Sequence, residues 1–486
     1  MLFNSIQFLI FFPIVVLLFY VVPRKGRYIW LLAASYYFYM CWNPYYAILI
    51  MLSTIITFLS GIGIEKAQKL QRENNYLPKL IVAMSLLSNL GILIFFKYFI
   101  WLIENLNRIF NCSIKLSFSI ILPVGISFYT FQALSYTLDV YRGNIKAEKK
   151  FACYALFVSF FPQLVAGPIE RSKNLLTQIN NIHNNKFDPE KVRSGLCLML
   201  WGFFLKLIIA DRAAIFVDNV FNVYEEYGFV ELSVAAVLFA FQILCDFNGY
   251  SIIAKGSSQV LGIELMDNFR QPYLATTIND FWRRWHISLT SWFTDYLYIP
   301  LGGNRKGNIR KMLNTMLVFL VSGLWHGASW HYVVWGGLHG IYQNISFMFH
   351  VIKNKHGSEK RTLTFSGKMI KVFGTFLITD IAWVFFRANS CGDAFGYFKQ
   401  MLISVQNKSL LALGLEWYDW LILLIALLIL TTVDILHENN IRIREWLFQE
   451  RTWFRWMIYL SAIWVIILFG IYGVEYDASQ FIYFQF

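Results

Sequence analysis

The sequence predicts an all-α polytopic membrane protein, on three observations. Of 486 residues, 57% are hydrophobic and only 15% charged, against roughly 25% charged in ordinary soluble chains. The apolar residues gather into stretches near the length a helix needs to cross a bilayer, about 20 residues. The basic residues fall between those stretches. A soluble chain of this size could not hide so much apolar surface behind so few charges. That excludes a soluble single-domain enzyme, a disordered tail and a disulfide-rich secreted module. The aromatic content, 19%, suits rings placed at membrane interfaces.

Twelve crossings are predicted, at about 5–22, 28–42, 45–64, 80–100, 118–140, 194–216, 232–250, 312–326, 330–350, 372–389, 417–436 and 456–473. Residues 1–23 carry no charged side chain, and Arg24, Lys25 and Arg27 follow the apolar run. A signal peptide has the opposite order, so this is read as a retained helix. Segment 151–167 lies between two basic loops; a crossing there would put one of them outside. It is expected to fold back as a re-entrant segment ending at Gly167-Pro168. With the N-terminus outside, the inner loops are 23–28, 65–79, 141–150, 168–193, 251–311, 351–371 and 437–455. They hold 34 of the 42 Lys and Arg. This positive-inside bias accounts for the net charge of +13. The bases lie in separate loops, so a nucleic-acid partner is not expected.

Segment 312–326 is short, about 22 Å at 1.5 Å per residue, against a hydrocarbon core of about 30 Å. It is expected to end at membrane depth, leaving Gly323-Leu324-Trp325-His326-Gly327 there. Such backbone is tolerated only where it lines protein or a water-filled cavity. There is no internal repeat. A single integral-membrane domain, 1–486, is expected, with its motif-bearing core at about 118–350 and further helices at 372–473. The six Cys lack CxxC or metal spacing, so neither disulfides nor a zinc site is indicated.

Among eight His, His183, His356 and His437 lie in polar loops and His350 beside Lys353. His326 is the sharpest candidate. It ends a short apolar helix, and Gly323 and Gly327 leave room for a ligand chain beside the backbone. An ionisable residue at membrane depth is a functional-site hypothesis by default. Its imidazole would exchange a proton with a hydroxyl, or serve as a core His bonded to a carbonyl. If 278–293 is one helix, Trp282, His286, Leu289 and Phe293 share a face, with Asp280 and Arg284 pointing away as an i, i+4 pair. Thr277 with Asp280 reads as a helix-start cap. His286 would then face an aromatic wall, in a site or in an amphipathic helix on the inner surface. His331 and His339, two turns apart, could line the same cavity as His326. HxxxH and HExxH spacings are absent, so no metal is expected. Gly302-Gly303-Asn304-Arg305-Lys306-Gly307 would contact phosphates or be an ordinary loop. Lys206, Asp211 and Arg212 form a buried ion pair or mark a helix end.

Several strings then resemble the membrane-bound O-acyltransferase (MBOAT) family. They are Asp280-Phe281-Trp282-Arg283-Arg284-Trp285-His286-Ile287-Ser288-Leu289, Tyr298-Ile299-Pro300-Leu301-Gly302-Gly303-Asn304 and Ser322-Gly323-Leu324-Trp325-His326-Gly327. Ser127-Phe128-Tyr129-Thr130-Phe131-Gln132, Phe161-Pro162-Gln163-Leu164-Val165-Ala166-Gly167-Pro168-Ile169 and the ending Phe481-Ile482-Tyr483-Phe484-Gln485-Phe486 are similar to its bacterial AlgI-like branch, that of the alginate O-acetyltransferase membrane subunit. The likeness covers nearly the whole chain.

The resemblance implies a ring of helices around a thinned centre, pierced by a tunnel. It implies acyl transfer from a cytoplasmic thioester, acetyl-CoA as co-substrate with no bound cofactor, to a hydroxyl. It places the family's invariant histidine on His326 and its second motif histidine on His286. Asp280, Trp282, Arg283, Arg284, Trp285, Trp325 and Asn304 are carried over as substrate- or tunnel-binding candidates. The expected setting is the bacterial cytoplasmic (inner) membrane. Acetyl would pass toward a cell-surface or extracellular polysaccharide through an extracytoplasmic SGNH-type acetyltransferase, since no soluble domain for a glycan is evident. Two rivals stand: D-alanyl transfer from a carrier-protein thioester to teichoic acid, and a polymer-precursor transporter, which would usually show repeated halves.

Overall fold

The computed structural model describes residues 1–70, 76–116, 120–355, 364–404 and 408–472. His356 and the ending 481–486 lie outside them. Among the described residues the regular elements are all helical, and each of the twelve predicted segments contains a helix. Seven helices among the described residues are long and apolar enough to cross a membrane: Tyr46–Lys69, Leu77–Phe110, Pro189–Phe221, Phe229–Val260, Phe365–Arg387, Trp417–Glu438 and Thr452–Phe469. The last two keep wide apolar faces exposed; Trp453, Trp456, Leu460, Trp464 and Leu468 all point outward. Only lipid covers such a surface without penalty, and the chain is a membrane protein.

The chain divides into two compact units. The first comprises Met1–Met199 and Ser251–Met266. In it, helix Ile126–Tyr141 begins eight residues later than predicted, because Pro123 and Gly125 hold the entry as a turn. Gly125 has φ +73°, and a Cβ there would lie 2.6 Å from the Leu164 carbonyl oxygen. Segment 151–167 breaks into helix Phe151–Ser159 and the single turn Phe161–Leu164. Nine helical residues rise about 14 Å, half a hydrocarbon core. Side chains serve the exposed backbone of this break. Gln132 Nε2 and Gln163 Nε2 donate to the Phe157 carbonyl at 2.5 and 3.2 Å, and Ser35 Oγ accepts from Phe161 N at 3.1 Å.

The second unit comprises Leu200–Tyr250 and Asp267–Phe486. It corrects three expectations and decides a fourth that the sequence leaves open. Helix Gly307–His326 is 20 residues long and starts five residues early. Its first turns carry Asn308, Arg310 and Lys311, which apolar counting excludes but helix geometry accepts. Its length is therefore about 30 Å rather than 22 Å. It packs against helix Trp330–Lys355 by direct backbone approach. A Cβ on Gly323 would strike the Tyr332 carbonyl, one on Gly336 the Phe319 carbonyl, and one on Gly327 the Tyr332 ring. The small residues therefore seat a neighbouring helix, as small-residue interfaces do in membranes; Tyr332 fills the space assigned to a ligand chain.

Residues 278–293 do not form one helix. Helix Ile278–Arg284 stops and helix Ile287–Phe293 starts anew, with His286 between them at φ +43°. Segment 268–270 takes the backbone bonds a continuous helix would use: Arg270 N donates to Arg284 O and Ile287 N to Asn268 O, both at 2.9 Å. Of the two readings of Lys206, Asp211 and Arg212, the buried ion pair holds, and no helix ends there. They sit within the run Pro189–Phe221, whose stretch Leu205–Ala210 widens to π-helix. Lys206 Nζ lies 2.8 Å from Asp211 Oδ1 and 2.6 Å from Asp246 Oδ1, with the lysine 1% exposed. Arg212 reaches Asp419 at 3.1 Å and the Phe469 carbonyl at 2.7 Å.

Candidate active site

The candidate residues that gather do so in the second unit, around two imidazoles. His326 ends helix Gly307–His326 and is 3% exposed. Its ring meets Trp325 and Trp335 edge-on at 5.0 Å between centroids, and Phe386 at 5.4 Å. His286 is 1% exposed, its centroid 6.3 Å from that of His326. Phe247 stands 4.7 Å from it and Trp325 6.0 Å. The two rings thus face each other inside an aromatic wall.

His286 is held with unusual determination. A non-glycine residue at positive φ costs of order 1–3 kcal/mol and persists only where its surroundings fix it. Here Asn268 does so. Its Oδ1 accepts from Ser288 N at 3.3 Å and from Ser288 Oγ at 2.9 Å, and lies 3.2 Å from His286 Nδ1. The Ser288 N–H is an unambiguous donor, so the amide oxygen, not its nitrogen, must face this group. His286 Nδ1 then carries the proton, and Nε2 presents the lone pair. Burial pushes the imidazole down to about 3, so it is neutral at physiological pH. A neutral ring with a defined lone pair accepts a proton or a hydrogen bond.

Trp282, Trp285 and Trp325 join this cluster. Trp282 packs on Phe319, Trp335 and His339, and Trp285 on Phe269 and Trp383. Asp280 and Arg284 are built into a clamp instead. Thr277 Oγ1 caps Asp280 N at 3.1 Å, and Arg284 Nε reaches Asp280 Oδ1 at 2.9 Å. The same guanidinium grips Glu438 through both terminal nitrogens, at 2.6 and 3.2 Å. Glu438 and Asp280 hold its pKa above the usual arginine value, against burial. Arg283 and Asn304 are exposed and apart from the imidazoles. So are Arg305 and Lys306, in a turn where Gly302 and Gly303 have positive φ. His331 gives its Nδ1 to the Phe385 carbonyl at 3.1 Å, whereas His339 lies within the aromatic cluster. Asn268, Trp335, Trp383 and Phe386 were not singled out from sequence. Their signal is tertiary: Asn268 is 18 residues from the ring it orients.

Comparison with known proteins identifies the family. The sequence profile of the MBOAT, membrane-bound O-acyltransferase family matches residues 148–386. A peptidoglycan O-acetyltransferase of Helicobacter pylori is 34% identical over 81% of this chain and 77% of its own length. A probable alginate O-acetylase, AlgI, of Pseudomonas aeruginosa is 35% identical over 82% of this chain and 75% of its own. A teichoic acid D-alanyltransferase of Streptococcus thermophilus is 28% identical, but over 45% of this chain and 55% of its own. The chain belongs to the membrane-bound O-acyltransferase family. It is an acyltransferase of the AlgI-like kind.

Proposed function

We propose that this protein moves an acetyl group from acetyl-CoA to a hydroxyl of the route leading to a cell-envelope or extracellular polysaccharide, with His326 as general base and His286 beside it as a neutral acceptor. The observation that carries the reading is the pair of buried imidazoles 6.3 Å apart, one of them strained and tautomer-locked. Strain and fixed tautomers concentrate where chemistry needs them. The relatives that share about four-fifths of the chain are named as O-acetyltransferases, of peptidoglycan and of alginate, whereas the D-alanyl transferase shares less than half. That difference favours acetyl over D-alanyl.

The chemistry balances within these groups. The acceptor oxygen attacks the thioester carbonyl carbon as His326 takes its proton. The carbonyl π pair moves onto oxygen, then returns as the C–S bond breaks. The departing thiolate takes the proton from the imidazolium. A covalent acyl-His intermediate is the other form of the same transfer. In this reading the twelve helices surround a thinned centre in the bacterial inner membrane. A tunnel brings the pantetheine arm to His326, with Trp282, Trp285 and Trp325 walling the reaction chamber. Exposed Arg283, Arg305 and Lys306, with Asn304, meet the nucleotide phosphates at the inner surface. Arg284 and Asp280 support the site through their clamp. The product passes to an extracytoplasmic SGNH-type acetyltransferase, supported by family resemblance.

The test is His326→Ala in the full-length protein, with label followed from acetyl-CoA to envelope polysaccharide. Transfer should fall by about 10²–10⁴-fold while the protein stays folded in the membrane. A folded variant that transfers at the normal rate ends the proposal. Turnover of D-alanyl carrier protein but not acetyl-CoA by the wild type would redirect the donor assignment.

A further inference from the structure

Among the described residues, the aromatic cluster around His326 holds three buried N–H groups that no acceptor meets, those of Trp335, His339 and Trp383. Trp335 and His339 are both fully buried on helix Trp330–Lys355, their centroids 5.1 Å apart. Trp335 lies 5.0 Å from His326. Trp282 Nε1 stands 3.3 Å from His339 Nδ1. An indole N–H only donates, so His339 Nδ1 must hold the lone pair, and the neutral ring carries its hydrogen on Nε2. Among the described residues neither His339 Nε2 nor Trp335 Nε1 has a hydrogen-bond partner. Buried donors are almost always paired. Of the three, Trp335 and His339 sit one turn apart on one helix and Trp335 also meets the proposed base, and that placement calls for a role.

We infer that Trp335 Nε1–H and His339 Nε2–H form the oxyanion hole of the acyl transfer. This rests on the reading of His326 as base. The acceptor oxygen bonds to the carbonyl carbon, its proton goes to His326, and the carbonyl oxygen gains a full negative charge. A thioester carbonyl is a weak acceptor, so the donors gain little while substrate is bound. The tetrahedral oxyanion is a strong one, so they gain most in the transition state, in a dry site where dipoles act unscreened. The flanking rings of Trp282, Trp383 and Phe386 offer no competing lone pair. Both donors come from one helix, whose glycines seat it tightly against the helix bearing His326, so base and donors are set by a single helix–helix contact.

The experiment compares full-length wild type, His326→Ala, Trp335→Phe, His339→Leu and His339→Gln in detergent. Probes are labelled acetyl-CoA and, as second donor, D-alanyl carrier protein, with envelope polysaccharide and an SGNH-type acetyltransferase supplied together as the acceptor system. Trp335→Phe keeps the ring and removes only the N–H. It should lower kcat about 10²–10³-fold with KM for the donor within about twofold and an unchanged melting temperature. His339→Leu should behave alike, and His339→Gln, which restores an N–H, should regain at least about tenfold of that loss. Wild-type kcat in Trp335→Phe beside an inactive His326→Ala overturns the inference and leaves the base reading standing. A rise in KM at constant kcat, or a loss that tracks melting temperature, also overturns it. An active His326→Ala removes both.

Discussion

Replacing Asn268 by Ala is the sharpest probe of how the site is built. The carboxamide oxygen is the common acceptor for Ser288 N, Ser288 Oγ and His286 Nδ1, at 3.3, 2.9 and 3.2 Å. All three groups belong to buried residues. Ser288 Oγ can rotate toward another acceptor; the backbone N–H and the ring N–H cannot. Each buried donor left unmet costs about 1–3 kcal/mol, so the two fixed ones predict a loss of about 2–6 kcal/mol. The main-chain bonds Ile287 N to Asn268 O and Arg270 N to Arg284 O survive the substitution and keep the backbone at His286 where it is, so no strain is returned to offset the loss. The ring then turns and its tautomer is no longer fixed, so transfer should fall by at least about tenfold. Thermal unfolding of the purified protein in detergent reads the first effect and labelled acetyl transfer the second. Asn268→Ala with wild-type melting and wild-type turnover would refute the claim that this amide orients His286.

Other consequences are as direct. Between pH 7 and pH 5 the unfolded chain protonates His286, with an ordinary value of about 6.5, while the folded chain resists down to about 3. Stability present above pH 6.5 is therefore lost on acidification, by about 2 kcal/mol at pH 5. A non-titrating His286→Asn variant should show a smaller fall in melting temperature over that range. Gly336→Ala drives a methyl into the Phe319 carbonyl, parts the two helices and should cost about 1–3 kcal/mol by thermal unfolding. Lys206→Met leaves Asp211 and Asp246 confronting each other without their ammonium, for a loss of about 3–5 kcal/mol and reduced membrane yield. Glu438→Gln weakens the forked contact to Arg284, a half-buried pair, and should cost about 1–2 kcal/mol with acetyl transfer reduced less than in Asn268→Ala.

The membrane class was legible because composition and charge placement are properties of the whole chain. The buried position of His326 at a helix end was legible for a local reason: it closes an apolar run and is followed by a glycine. The reading failed where a distant segment intervened. Periodicity placed His286 on one face of a continuous helix, but segment 268–270 captures the backbone of 284–287 and the helix breaks there. Counting apolar residues started the helix before His326 too late, since Asn308, Arg310 and Lys311 are helical yet polar. Gly323 and Gly327 gave a correct signal of close approach but no indication of what approaches; Tyr332 does. Asn268 and Trp335 carry no motif of their own, and their importance exists only once the chain has folded around them.

The single ammonium of Lys206 between two carboxylates has a consequence for biogenesis. Two of these charges lie on the run Pro189–Phe221 and the third on Phe229–Val260, the next helix to emerge from the ribosome. Lys206 enters already paired with Asp211 on its own run, whereas Asp246 brings a carboxylate on the following helix and meets that ammonium there. A buried carboxylate on a crossing helix opposes insertion by about 2.5–3.5 kcal/mol. Synthesis therefore favours docking of the second helix against the first as it enters, and Lys206→Met chains should leave Phe229–Val260 more readily extracted from the membrane than wild-type ones.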